Sequence, residues 1–208
     1  RTESSKRWIS RQLNDPYVSE AQKRGSRSRS AFKLLQINEK FNLFKSGMVI
    51  IDLGCAPGGW LQVIIEIINK NRKGQLIGID LLDTDILPNV EILKGDINDE
   101  NILSQINKIL NGKKVNGVVS DMAADTTGHR PTDHLRTTML LESAIDIAKD
   151  FLDEDGFFLG KCFKGGAEAS VLETLNKSFK VVKHVKPDAS RKESVESYVL
   201  AMHYKNKT

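Results

Sequence analysis

The sequence predicts an α/β fold, in which helices cover both faces of a mostly parallel β-sheet. Short apolar runs such as Val115 to Val119 and Phe157 to Leu159 alternate with stretches of helical period, the pattern of right-handed β–α–β crossovers. The apolar run Met48-Val-Ile-Ile51 leads into a glycine-rich turn, Asp52-Leu-Gly-Cys-Ala-Pro-Gly-Gly-Trp60. Two strand-like segments at the end, Phe179 to Lys186 and Val195 to Tyr204, are separated only by a polar loop. That implies an antiparallel pair at one end of the sheet.

Each element has a local reason. Asp15-Pro16 reads as an N-cap followed by proline at the first helical position, so a short helix is expected to about Lys23. Gly25-Ser26-Arg27-Ser28-Arg29 then reads as a flexible basic link, and Ser30 as the cap of a second helix to about Phe41, with Phe32 and Leu35 facing inward. Strands are expected near 48–53, 75–80, 90–94, 115–120 and 156–162, and helices near 59–70, 99–110, 134–151 and 167–176. With the terminal pair this makes a Rossmann-like sheet of seven strands, of which one runs antiparallel. A dinucleotide-binding sheet more often ends on another parallel strand. A reversed last strand inserted beside its predecessor is the layout of class I methyltransferases.

The 208 residues suffice for one compact core. No apolar stretch approaches the ~18 residues of a membrane span, and Arg1 to Ser10 lacks the apolar block of a secretory signal. A soluble, cytoplasmic protein is expected; because the chain starts at Arg1, further residues upstream are expected too. Cys55 and Cys162 have neither C-x-x-C spacing nor a histidine at ligand distance, which speaks against a disulfide framework and a zinc site. Charge is unevenly placed. Residues 1–33 carry nine Lys/Arg (Arg1, Lys6, Arg7, Arg11, Lys23, Arg24, Arg27, Arg29, Lys33) against three acids, hence +6, which leaves −2 elsewhere in a chain of net +4. A basic arm over residues 1–29, joined to a domain over 30–208, is the footprint of a polyanion partner. Trp8 and Tyr17, interleaved with the charges, could stack on unpaired bases or pack on the domain.

The glycine-rich turn points to a ligand. Dinucleotide sites use G-x-G-x-x-G to bring amides to a pyrophosphate, whereas Gly54 and Gly58-Gly59 stand as G-x-x-x-G-G behind Asp52. This spacing suits a ligand with an amino acid and an adenosine but no phosphate. S-adenosylmethionine is one: Asp52 could meet its ammonium group while the small residues admit the sulfonium and carboxylate. The same spacing would also serve a plain strand-to-helix turn. In a parallel sheet the ligand lies over the carboxyl ends of the strands, and three aspartates stand there. Asp80 closes Leu76-Ile-Gly-Ile-Asp, where a carboxylate accepts from ribose hydroxyls; Asp96 is placed for an adenine amino group with Ile97 against the ring; Asp121 closes Gly117-Val-Val-Ser-Asp at the methyl-donating end. Any one could be a loop-capping aspartate.

Lys161 is an odd residue for the inner end of the apolar strand Gly156 to Phe163. Burying an unpaired ammonium is expensive, so it must be paired, desolvated or catalytic. Glu196 opens the final strand, with Tyr198 on the same face.

Taken together, Gly25-Ser-Arg-Ser-Arg-Ser-Ala-Phe-Lys33, Asp52 to Trp60, Asp80-Leu-Leu, Ser120-Asp-Met-Ala, Gly160-Lys-Cys-Phe and Lys186-Pro-Asp-Ala-Ser-Arg191 through Glu196-Ser-Tyr resemble the FtsJ/RrmJ family of ribose 2′-O-methyltransferases, in the right order and over nearly the whole chain. The resemblance implies a catalytic tetrad of Lys33, Asp121, Lys161 and Glu196, and S-adenosylmethionine contacts at Gly58, Trp60, Asp80, Asp96 and Asp121. A ribose hydroxyl is a poor nucleophile near neutral pH, so a base and exact orientation are both needed. Lys161 is the expected base, with Lys33 lowering its pKa and the two acids limiting the shift. No metal is required, since the leaving group is a neutral thioether. The resemblance further implies a monomer that methylates a uridine of 23S-type rRNA, within an assembled or late-precursor large subunit, as a step of rRNA processing and ribosome biogenesis. A tRNA or mitochondrial rRNA target, and a non-catalytic RNA-binding assembly factor, remain as alternatives. The segment Asp121-Met-Ala-Ala-Asp125 departs from the family's frequent Asp-Met-Ala-Pro-Asn and adds a negative charge that His129 and Arg130 could offset.

Overall fold

The computed structural model describes residues 15–163 and 168–205. Arg1, Lys6, Arg7, Trp8 and Arg11, expected to form the outer part of the basic arm, lie outside the described residues.

Seven strands form one sheet: β1 (Val49–Leu53), β2 (Gln75–Asp80), β3 (Val90–Lys94), β4 (Val115–Ser120), β5 (Leu152–Phe163), β6 (Phe179–Val185) and β7 (Glu196–Tyr204). Their order is β3-β2-β1-β4-β5-β7-β6. The first five pair in parallel, and β7 runs antiparallel between β5 and β6. The expected sheet is therefore the observed one. The helices are α1 (Pro16–Lys23), α2 (Ser30–Phe41), α3 (Gly59–Ile68), α4 (Glu100–Leu110), α5 (Arg130–Phe151) and α6 (Glu168–Ser178). None of them is long and apolar enough to cross a membrane.

Side chains alternate across the strands and divide the core in two. Ile51, Leu53, Val118 and Phe158 pack under α4, α5 and α6, whereas Ile50, Val119, Phe157 and Leu159 face α2 and α3. Truncating a fully buried member such as Ile64 to alanine removes about 2–5 kcal/mol of stability.

Two helix ends and one connecting segment correct the expectations. Asp15 caps α1 as anticipated, accepting from the Tyr17 amide at 3.0 Å. Ser30 does not cap α2: the residue before it, Arg29, is already in the right-handed helical region, and the Ser30 hydroxyl is used elsewhere. Helix α5 starts at Arg130 rather than near 134, because the Asp133 carboxylate turns back to accept from Thr127 and Gly128.

The third correction concerns Gly25 to Arg29, read as a flexible link ahead of a separate domain. This segment is a strap. Its Gly25 carbonyl accepts from Gln62 Nε2 (3.3 Å) and its Arg27 amide donates to Gln62 Oε1 (2.8 Å), while Ser28 lies so close to Gly59 that a Cβ there would stand 2.2 Å from its hydroxyl. Arg29 Nε sits 2.9 Å from Asp15 Oδ2 and its guanidinium donates to the Ala189 carbonyl at 2.7 Å. Ala21, Phe32 and Ala189 close a small apolar cluster beside it. Residues 15–29, the described part of the arm, thus pack against the rest of the chain.

Candidate active site and cofactor cleft

All the acids singled out at strand ends gather at one edge of the sheet for a topological reason. Parallel strands finish there, and a reversed strand begins there. Hence Glu196, the first residue of β7, arrives beside Phe163, and Tyr198 stands opposite Lys161.

A cleft of about 370 Å³ opens over β1, β2 and β4, and Gly54, Asp80, Asp96, Ile97, Asp121 and Met122 are among its lining residues. Gly54 has φ +74°, and a Cβ on it would meet Met122 Cγ at 2.5 Å, so the turn is closed to any side chain. Asp80 ties the two sides of the cleft together: Oδ2 accepts from the Ala56 amide and Oδ1 from the Leu82 amide, both at 2.9 Å. Asp96 Oδ1 accepts from Asn98 N (2.9 Å) and Nδ2 (3.0 Å), which fixes its carboxylate at the rim. Ile97 is buried behind it.

Asp52, Gly58, Gly59 and Trp60 are not on the cleft wall. Asp52 is fully buried beneath the turn, and neither carboxylate oxygen has a hydrogen-bond partner. Burial, then the negative charges of Asp121 and Asp80, push its carboxyl well above the usual range. Gly58 and Gly59 carry the strap. Trp60 packs instead beside Ser30 and Tyr198: its indole N–H donates to the Ser30 carbonyl (2.9 Å) and hydroxyl (3.1 Å), and its ring lies 5.8 Å from that of Tyr198.

The four charged residues expected to act together do meet. Lys161 Nζ lies 3.1 Å from Asp121 Oδ1 and 3.5 Å from Glu196 Oε2, and it donates to the Asp121 carbonyl at 3.2 Å. Lys33 pairs with the other oxygen of Glu196. Two ammonium groups and two carboxylates therefore balance in a largely dehydrated corner. Burial alone would raise the Asp121 pKa, but Lys161 and Lys33, with hydrogen bonds from Ser30 and Tyr198, outweigh it and hold the carboxyl below its ordinary value. Burial alone would lower Lys161, but Asp121 and Glu196 outweigh it and raise the amine above its ordinary value. This reverses the expectation that Lys33 depresses Lys161. Lys33 is taken up by Glu196, and the nearer carboxylates govern Lys161.

Two residues that sequence reasoning did not place in this cluster complete the corner. Tyr198 donates to Asp121 Oδ1 at 2.6 Å; burial, then the Asp121 and Glu196 charges, push its hydroxyl well above the usual phenol range, so it remains a donor. Ser30 donates to Asp121 Oδ2 at 2.6 Å. The signals were periodic: Tyr198 follows Glu196 by two in a strand, and Ser30 precedes Lys33 by three in a helix, so each shares a face with a charged residue.

Cys55 and Cys162 are buried and form no disulfide. Burial, then Asp52, pushes the Cys55 thiol up to about 12, which makes it an inert filler at neutral pH. Among the described residues no group of three or more His, Cys, Asp or Glu converges on a point that could hold a metal ion.

Known proteins share this sequence pattern and fold. The FtsJ-like methyltransferase family matches residues 26–204. The ribosomal RNA large subunit methyltransferase E of Bartonella bacilliformis is 50% identical over 206 residues, covering 99% of this chain and 86% of its own length. The protein of the same name from Brucella ovis is 50% identical over 204 residues, 98% of this chain and 85% of its own. Among solved structures, a ribosomal RNA methyltransferase from Plasmodium falciparum superposes with a TM-score of 0.78 at 31% identity, over 86% of this chain and 98% of its own. A Streptococcus mutans methyltransferase solved in complex with SAH shares the fold at 12% identity, with a TM-score of 0.52 over 81% of this chain and 96% of its own. A family match across most of the chain, joined to half-identical relatives along nearly its full length, means that this chain belongs to the FtsJ-like methyltransferases.

Proposed function

We propose that this chain transfers a methyl group from S-adenosylmethionine to a ribose 2′-hydroxyl, that of a uridine in large-subunit rRNA. The observation that carries the reading is that Asp121 belongs to two structures at once, lining the cleft and anchoring Lys161. The place for a donor and the place for a nucleophile therefore share a residue. The names of the half-identical relatives support the rRNA target.

The residues present fit the donor. The Asp52 carboxyl, buried beneath the turn without a hydrogen-bond partner, lies behind the cleft wall and would favour positive charge over the turn. Asp80 and Asp96 both line the cleft and offer carboxylate oxygens as acceptors for hydroxyl and amino donors. When bound, S-adenosylmethionine supplies a methyl group on a sulfonium, with a neutral thioether as leaving group.

The rest of the chemistry falls to the chain itself. Lys161 Nζ is a hydrogen-bond donor in the free protein and becomes an acceptor for the ribose proton only after giving up its own. Asp121 and Glu196 hold that proton in place. Positive charge arriving beside Asp121 would offset one of the two carboxylates, so the amine yields its proton most readily when the cleft is filled. Lys33 keeps Glu196 aligned, while Tyr198 and Ser30 fix both oxygens of Asp121. Because the groups titrate together, the pH profile belongs to the cluster.

Acting as a monomer in the cytoplasm on an assembled or late-precursor subunit is part of the same proposal. The test is radiolabelled methyl transfer to large subunits, naked rRNA and tRNA from a strain lacking the enzyme, followed by alkaline hydrolysis. Label in an alkali-resistant dinucleotide of large-subunit rRNA is expected; label in tRNA alone sinks the target.

A further inference from the structure

Arg27 was counted among the charges awaiting a polyanion, but its guanidinium is spent inside the molecule. Nη1 donates to the Asp85 carbonyl at 2.8 Å and Nη2 to the Ile86 carbonyl at 2.9 Å, and Nη1 also reaches the Pro57 carbonyl at 3.4 Å. Pro57 belongs to the glycine-rich turn on one side of the cleft. Asp85 and Ile86 belong to the β2–β3 loop on the other, which also carries Leu81 and Leu82.

We propose that Arg27 is a positioning residue for the methyl donor, an outer clamp that sets the width of the cofactor cleft, and not a contact to RNA. Asp80 joins the same two walls from within, through the Ala56 and Leu82 amides. One wall pair is thus held by an acceptor inside and a forked donor outside. The fork matters: two successive carbonyls are met by two different nitrogens of one planar group, which an ammonium on a flexible stem cannot reproduce. The turn is shaped for it, since a Cβ on Gly58 would stand 2.6 Å from Nη1 and displace the guanidinium. Leu81 and Leu82 are 66% and 69% exposed, so little apolar packing holds their loop. Without the clamp that loop loses a main attachment to the body.

This inference rests on the reading of the cleft as the S-adenosylmethionine site, and its test separates the two. S-adenosylhomocysteine binding is measured by calorimetry without RNA for the wild type, Arg27→Ala, Arg27→Lys and Gly58→Ala, alongside steady-state kinetics and RNA binding as a function of salt. The expected result is a loss of S-adenosylhomocysteine affinity of about tenfold or more in Arg27→Ala and Gly58→Ala, with Arg27→Lys also weakened. KM for the donor rises by a similar factor while kcat at saturation stays near that of the wild type, guanidinium ion restores part of the binding in Arg27→Ala, and the salt slope for RNA is unchanged. Unaltered affinity with a reduced salt slope would make Arg27 an RNA contact and overturn the proposal. A lowered melting temperature with unaltered affinity, or a loss that guanidinium does not relieve and that falls on kcat as well, would reduce it to a structural residue. If the wild type itself does not bind S-adenosylhomocysteine, the functional reading fails first.

Discussion

Asp52 and Asp121 belong to hydrogen-bonded neighbours in the sheet, β1 and the end of β4, and burial pushes both carboxyls toward the neutral form. Their outcomes are opposite. Asp121 meets Lys161, Tyr198 and Ser30 and is held as a carboxylate below its ordinary pKa. Asp52 meets no donor and is held well above it. Burial by itself therefore has no fixed consequence; the partners decide. The charged corner is electrostatically complete in the free protein, whereas the carboxyl group buried beneath the glycine-rich turn has no counterpart.

Four measurements would break or sharpen this contrast, and the first strikes the completed corner hardest. Lys161→Ala is expected to lower methyl transfer by at least about 10²–10⁴-fold, the usual worth of a positioned base, while S-adenosylhomocysteine binding stays near normal. Retained turnover would remove Lys161 from that role. In the wild type, activity should climb as pH rises on the alkaline side, since the raised Lys161 pKa keeps the amine protonated at neutrality. Next comes Tyr198→Phe, which leaves the ring in place but strips one donor from Asp121; a fall in kcat of about tenfold is expected, from the loss of a charge-assisted hydrogen bond worth ~1.5 kcal/mol.

The third measurement targets the carboxyl without a counterpart, with the opposite sign. The native Asp52 pKa lies above its unfolded value, so the folded state retains a proton that the unfolded state releases. Its contribution to stability consequently falls as pH rises from the ordinary carboxylate range toward the native pKa. Asp52→Asn should raise the melting temperature of the free protein near neutral pH, with the gain shrinking in mild acid, and should weaken donor binding. For Asp121 the signs are reversed: its folded pKa is depressed, so its stabilisation is present above the unfolded value and disappears as pH falls through the folded one. A variant Asp52→Asn with no pH-dependent change in melting temperature would void the contrast. The smallest effect is expected from Ser30→Ala, a fall in kcat of a few fold from one lost hydrogen bond worth ~1 kcal/mol, since Tyr198 and Lys161 still hold Asp121.

Local pattern made much of this legible. Strand ends at Leu53, Asp80, Lys94 and Ser120 could be read from apolar runs, and the reversed terminal strand from the missing helix before it. The residues of the corner stood out because a lysine inside an apolar strand demands a reason. What misled was charge and capping. Ser30 has the residue type and position of a cap, but a part-buried carboxylate from a segment 91 residues away offered its hydroxyl a stronger acceptor. Gly25 to Arg29 has the composition of a loose linker, yet Arg27 and Arg29 are engaged with Asp85, Ile86, Asp15 and Ala189. Composition reports how many charges a segment carries and not what they face.

The sequence by itself determined the succession and type of the strands and the edge of the sheet at which the acids collect, because periodicity and connection length act over neighbouring residues. Only the tertiary structure decided which charge met which. Coulombic and desolvation energies depend on distances between segments remote in the chain. That is why Lys161 came out raised rather than lowered, why Asp52 and Asp121 parted company, and why Arg27 turned inward to the cleft.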